Sequence, residues 1–232
     1  MDFELFKKII LEGTKYGPRS FSLHLFGEPL LYPRIFDAIS FIKHANKKHT
    51  VLLTTNGTLL NRFVGDLIQA GPDLVLWSWR SEAKFTRITL AQLRKWGRFR
   101  VRFIKEITPP EAYEEWKDWP NKEERRIHNY GGDGDITTFG AKVVADGRRW
   151  PCYHLWFAPA VAWNGDILLC CSDPHRKEIM GHFPEQTVAQ VWQGERLNKM
   201  RDSHMKGEYG GICKTCDVWK EIPDVFFGFQ KK

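Results

Sequence analysis

The sequence predicts an α/β domain built on a parallel sheet, followed by a small cysteine-rich domain. Three observations carry that prediction. Strand-like and helix-like segments alternate from residue 2 to residue 130, the signature of βαβ units. All five cysteines fall between positions 149 and 219. Between the two halves, residues 131–149 are rich in glycine and charge and read as a linker. The expected boundaries are 1–133 for the α/β domain, 134–148 for the linker and 149–232 for the cysteine domain.

In chain order, residues 2–12 read as an amphipathic helix. Asp2 is its N-cap, Phe3, Phe6, Ile9 and Ile10 form its apolar stripe, and Gly13 is its stop. Residues 21–26 alternate as a first strand ending at Gly27-Glu28-Pro29, and a helix over 33–45 follows, with Pro33 suited to a first turn. A second strand, 50–55, stops at Asn56-Gly57. The residues after it, Leu59, Leu60, Phe63, Val64, Leu67 and Ile68, keep helical period up to Gly71, so Asn-Gly is not a hairpin turn there. Residues 74–79 give a third strand, 89–96 a short helix, 100–107 a fourth strand, 111–119 a helical stretch and 125–130 a fifth strand.

The cysteines come from three places. Cys152 follows a Trp-Pro, Cys170 and Cys171 follow Asn164-Gly165-Asp166, and Cys213 and Cys216 form a CxxC. A lone CxxC is shared by redox and zinc sites, but thiolates gathered from three segments suit a metal or iron–sulfur centre. Residues 161–169 read as two short strands about the Asn-Gly turn, which brings Cys152 near Cys170 or Cys171. Neighbours on a strand face opposite ways, so one of that pair is the expected ligand. Cys170 is favoured, with Cys171 packed as a small hydrophobe. Thr187-Val188-Ala189-Gln190 is a capping box that opens a helix to about Met200. An odd cysteine count and the lack of a secretory signal argue against a disulfide framework. Residue types alone leave zinc and an iron–sulfur cluster level. His154, His175, His182 and His204 lie near the cysteines but find no ligand place in a four-thiolate set. Several of the ten tryptophans are expected in the core of the cysteine region.

Hydrophobic content of 42% and charged content of 27% are ordinary for a soluble globular chain. With no apolar run long enough to span a bilayer, the expectation is a cytoplasmic, thiol-reducing setting and no membrane partner. The net charge of +7 is spread along the chain, which favours a solvated basic surface over a nucleic-acid site. In parallel α/β folds the ligand site lies at the carboxyl ends of the strands. Here those ends carry Gly27-Glu28-Pro29, Thr54-Thr55-Asn56-Gly57, Ser78 and His128-Asn129-Tyr130-Gly131. Glu28 suits a cationic amine, and Asn56 or Ser78 suits a sugar or carboxylate. His24, inside a strand, reads as a core histidine, and His128 is the better catalytic candidate.

These stretches together resemble the radical SAM superfamily, in particular members with a SPASM or twitch auxiliary-cluster domain. The motifs that carry the resemblance are LHLFGEPLLYP, LLTTNGTLL and IHNYGG, then CYHLWFAPAVAWNGDILLCCSD, VWQGERLNKMR and CKTCDVW. The resemblance implies a partial (β/α)6 TIM-like barrel missing its first strand, followed by a small SPASM/twitch domain. It implies Cys152, Cys170, Cys213 and Cys216 as ligands of a [4Fe–4S] auxiliary cluster. It also implies Gly27, Glu28 and Pro29 as contacts for the amino end of S-adenosylmethionine, with Asn56 and Ser78 as further polar contacts. The activity it implies is radical-based modification of a peptide or small molecule, with an electron-donor protein as partner. One departure stands out: the family's CxxxCxxC is missing, and no cysteine precedes Cys152. Either Met1 is an internal methionine of a longer reading frame or the protein is a degenerate relative that kept the scaffold. On both accounts this chain is expected to be inactive towards S-adenosylmethionine. The alternative reading is a non-catalytic iron–sulfur or zinc module engaging nucleic acid or a partner protein.

Overall fold

Asp2 opens the chain as a helix cap, its Oδ1 accepting the Leu5 amide at 2.9 Å. Helix α1 then runs Phe3–Thr14, past the glycine expected to stop it. Gly13 serves packing instead, since a Cβ there would press to 3.3 Å from the Phe21 ring. The computed structural model describes residues 1–129 and 149–220, in two units, Met1–Ile127 and His128–Lys232. The expected linker and the last residue of the expected fifth strand lie outside the described residues.

The first unit alternates strand and helix: β1 (Ser20–Ser22), α2 (Ile35–Ala45), β2 (Thr50–Thr55), α3 (Leu60–Ala70), β3 (Leu74–Ser78), α4 (Arg87–Trp96), β4 (Phe99–Ile104), α5 (Pro110–Glu115) and β5 (Lys122–Arg125). The strands form one parallel sheet in the order β1-β2-β3-β4-β5. Val51, Leu53, Val75, Trp77, Phe99, Val101 and Phe103 are buried in the core with the helices. The alternate residues form a mixed face: Thr54, Ser78, Arg100, Arg102 and Glu123 are half-buried there, beside Leu52, Leu74 and the buried Leu76. A parallel sheet with both faces covered would carry near-continuous apolar strands instead.

Two strands depart from expectation. Strand β1 pairs over three residues rather than 21–26: Leu23 still donates its amide to Leu52 at 2.9 Å, and then the chain turns toward Gly27. Strand β5 lies at Lys122–Arg125 rather than 125–130. Its four residues are all charged, so it carries no apolar signal. The ladder to β4 and the ion pairs of Glu123 with Arg100 and Arg102 hold it instead.

Tryptophans build the first core, not the second. The Trp77 ring lies 4.7 Å from Phe85 and 4.8 Å from Trp116, and Trp119 sits 5.6 Å from Phe99. In the second unit Trp150, Trp156 and Trp163 are exposed, and the core there is aliphatic, with Leu155, Leu168, Leu169 and Leu197. Its sheet is antiparallel, β6 (Ala160–Val161), β7 (Asp166–Leu168) and β8 (Ile179–His182), joined to α6 (His154–Phe157), α7 (Val188–Trp192) and α8 (Glu195–Lys206). The Asn164-Gly165 turn joins β6 to β7, with Gly165 at φ +99°, a left-handed conformation suited to glycine. The capping box at Thr187 and Gln190 is complete. The helix expected to reach Met200 breaks at Gln193-Gly194, where extended Gly194 begins α8. Among the described residues, no helix is long and apolar enough to cross a membrane.

Gly57 ties the end of β2 to the aromatic core. It holds φ +83°, and a Cβ there would lie 2.5 Å from Trp77 Nε1, which donates to the Asn56 carbonyl at 3.0 Å. Gly57→Ala is expected to lower unfolding free energy by about 1–3 kcal/mol through strain and overpacking. Chemical denaturation checks this, and an unchanged midpoint would contradict it.

Candidate metal centre

Helix α8 fixes the first cysteine segment. His204, 1% exposed, accepts the Cys152 amide on Nδ1 at 3.3 Å. One turn earlier Arg201 donates Nε to the Leu155 carbonyl at 2.7 Å and a terminal nitrogen to the Trp192 carbonyl at 2.8 Å. These bonds hold residues 152–155 and the end of α7 against one helix.

The hairpin delivers the second segment. Strand β7 ends at Leu168, so Cys170 and Cys171 lie beyond it in a turn and the expected strand alternation does not separate them. What separates them is the turn itself. Cys170 lines a cavity with Cys152, Cys213 and Cys216, while Cys171 is not part of that lining. The turn is pinned by Asp173, whose carboxylate accepts the amides of Lys177 at 3.0 Å and Glu178 at 2.8 Å. Cys170 Sγ accepts the Ser172 amide at 3.3 Å.

The CxxC is clamped from the other end of the unit. Asn129 and Asp217 exchange hydrogen bonds, amide to carboxylate at 3.0 Å and amide to side-chain oxygen at 3.2 Å, and Asn129 Nδ2 donates to Thr215 at 2.7 Å. His128, the catalytic candidate, instead lies 3.6 Å from the Asp217 carboxylate as part of this clamp. Cys213 ends the short 3-10 turn Gly211–Cys213.

Cys152, Cys170 and Cys213 are each 8% exposed, and all five cysteines are free thiols. Burial pushes the Cys152 and Cys213 thiols up to about 12, and repulsion from the neighbouring cysteines adds to it. The cavity they share places the four cysteines in one neighbourhood. A hydrogen bond with Cys171 and burial raise the Cys170 thiol, while the same bond lowers Cys171. Leu155, Ile212 and Val218 line the remaining wall together with Arg149, His154 and Ser172, and no carboxylate does. Four soft sulfur donors with no carboxylate among them fit an iron–sulfur cluster or zinc better than a hard oxygen-ligated cation.

A second donor group overlaps this one. His154, Cys170 and Cys171 bring ligand atoms within 4.8 Å of one another, with His154 Nδ1 3.8 Å from Cys171 Sγ. The histidine set aside in the sequence therefore stands on the cavity wall.

Residues 152–217 match the SPASM family, an iron–sulfur cluster-binding domain. That match covers the segment from Cys152 to Asp217, which holds all five cysteines. Over 72 residues it is 30% identical to an uncharacterized protein of Treponema pallidum, covering 31% of this chain and 20% of that one. Over 65 residues it is 43% identical to the GTP 3',8-cyclase of Chlorobaculum tepidum, covering 27% of this chain and 20% of the cyclase. Each of these matches thus spans about a fifth of the curated relative's length. Among solved structures, BtrN in complex with AdoMet and 2-DOIA superposes with a TM-score of 0.70 at 20% identity, over 94% of this chain and 80% of BtrN. AnSMEcpe with bound AdoMet gives 0.58 at 12% identity, over 87% and 74% of the two chains. These likenesses show the fold alone: the chain is built like BtrN and anSMEcpe.

In the first unit, the residues expected at the strand ends come together around one carboxylate. Glu28 Oε1 accepts the Thr55 hydroxyl at 2.7 Å and the Leu30 amide at 3.1 Å, and Oε2 accepts the Asn56 amide at 2.7 Å. Gly27 precedes it at φ +100°, and Pro29 opens a short 3-10 turn after it. The Asn56 side-chain oxygen closes its own turn onto Thr58. Ser78 stands at the end of β3, in register with Arg102 of β4 rather than with this group. His24 is not a core residue: it lies beyond β1, exposed, with Nδ1 3.0 Å from Ser22 Oγ.

Within the SPASM domain the hairpin that carries Cys170 rests on Asp166. Its carboxylate accepts from Asn164 at 2.8 Å, His182 at 2.9 Å and Arg176 at 3.2 Å. The Asn164 and His182 bonds hold its pKa below the ordinary 3.8. A depressed carboxylate contributes stability above its unfolded pKa, and loses it as pH falls through the folded value. Asp166→Asn is expected to cost about 1 kcal/mol at neutral pH, the low end for partly screened charged bonds. The deficit against wild type should shrink below pH 3.8 in denaturation curves. A deficit independent of pH would contradict this role.

Proposed function

We propose that Cys152, Cys170, Cys213 and Cys216 hold a [4Fe–4S] auxiliary cluster. The observation that carries the reading is one carboxylate-free cavity lined by thiols from three separate segments. The SPASM match supports iron over zinc. A cluster bound there supplies one-electron chemistry. The chain's own residues do the rest: Leu155, Ile212 and Val218 keep water out, His204 and Arg201 position the Cys152 segment, and the Ser172 amide donates to Cys170 sulfur.

The first unit is proposed as a partial (β/α)6 barrel whose strand ends take S-adenosylmethionine. Gly27, Glu28 and Pro29 would meet its amino end, and Asn56 and Ser78 its other polar groups. Among the described residues Glu28 Oε2 accepts the Asn56 amide, and a carboxylate oxygen keeps further capacity to accept from an ammonium. The AdoMet bound to BtrN and to anSMEcpe supports this reading. The activity proposed for the whole system is radical-based modification of a peptide or small molecule, with a protein electron donor. This sequence holds no CxxxCxxC, and the chain by itself is proposed not to cleave S-adenosylmethionine.

Anaerobic loading with iron and sulfide is expected to give about four irons and about four sulfides per chain, with the brown colour of such a cluster. Cys170→Ser should abolish that loading, whereas Cys171→Ser should keep it. Colourless protein with stoichiometric zinc, or equal loss in both variants, would overturn the ligand set. The loaded chain, given dithionite and S-adenosylmethionine, should release no 5′-deoxyadenosine. Turnover would overturn that part.

A further inference from the structure

Arg149 stands three residues before Cys152, and its side chain lines the same cavity as the four thiols. Its guanidinium lies 3.9 Å from the Tyr209 ring centroid and 5.6 Å from that of Trp219. Nη1 donates to the Lys214 carbonyl at 3.3 Å, and the Tyr209 hydroxyl donates back to the Arg149 carbonyl at 3.1 Å. The group is thus held in place by stacking and two hydrogen bonds. Its Nε, however, is buried without a hydrogen-bond partner among the described residues.

A buried donor left unmade costs about 1–3 kcal/mol, and more when it is charged. Guanidinium cannot shed its charge at any ordinary pH. No carboxylate lines the cavity, so the anions available there are the thiolates themselves. The other buried orphan, His204 Nε2, does not share this position, because His204 is absent from the cavity wall.

We propose that Arg149 is the cationic hydrogen-bond partner of the cluster, its Nε–H donating to sulfur and its charge favouring the reduced, more negative state. This rests on the cluster reading above. Hydrogen bonds to the sulfurs and nearby charge are among the levers that set the potential of such clusters. Arg149 is a positioning and tuning residue that makes no bond to iron.

The test is voltammetry on the full chain after anaerobic loading, with iron counted for each variant. Arg149→Met should reduce the reduced-to-oxidised ratio at a fixed potential by about tenfold, a shift of about 59 mV to more negative values for one electron. Arg149→Lys, which keeps the charge and loses the Nε donor, should recover part of that shift. A fully loaded Arg149→Met protein with unchanged potential overturns the proposal. Should that variant fail to load, the wild type decides. Pulsed EPR of the dithionite-reduced protein carrying 15N-arginine should show a nitrogen coupling to the cluster spin, and its absence overturns the proposal. Wild type that takes up no iron sinks the cluster reading itself, whereas a loaded protein indifferent to Arg149 sinks this inference alone.

Discussion

Sulfur atoms from three segments reach one centre without relying on the metal to fold them when each segment's backbone has its own hydrogen-bond partners. The second unit meets that constraint with three unlike devices. Helix α8 grips the Cys152 segment through His204 and Arg201. Asp173 closes the turn that carries Cys170, and the Asn129–Asp217 exchange closes the loop that carries the CxxC. Each replaces water around buried backbone groups, so removing one leaves orphaned donors and not just a missing contact. Burial lifts the Cys152 and Cys213 thiols, so a metal must displace their protons as it binds.

The first unit solves a different problem. A parallel sheet of five strands keeps one face on helices and sets a mix of polar and leucine side chains on the other. Its core holds an aromatic cluster around Trp77, whose indole N–H reaches the Asn56 carbonyl at the end of β2. Glu28 then ties the loop after β1 to the loop after β2 through three donors. The loops at the strand ends are thereby ordered by the sheet that they top, a common way to place binding groups on a rigid scaffold.

Much of this was legible in the sequence because its signals were local. Alternation of strand and helix gave the parallel sheet, Asn164-Gly165 gave the hairpin, and Thr187 with Gln190 gave the capping box. The failures share a cause. Strand β5 is written in four charged residues, and only its pairing with β4 and the arginines of that strand makes it a strand. The break at Gly194 interrupts an otherwise helical pattern, and one glycine does not announce whether it ends a helix or sits within it. Tryptophan count could not say which core the rings would enter. Strand logic also misjudged Cys170 and Cys171, which lie in a turn. Arg149 and His204 escaped for a further reason: their importance is an unmet or inverted hydrogen bond, which exists only once the chain has closed around them.

The most direct measurement is a crystal structure of the anaerobically loaded chain with anomalous scattering recorded across the iron edge. The account predicts a single iron-dependent peak bonded to the sulfurs of Cys152, Cys170, Cys213 and Cys216, with Cys171 outside it. A metal held instead by His154, Cys170 and Cys171, or no shared peak among the four cysteines, would contradict it.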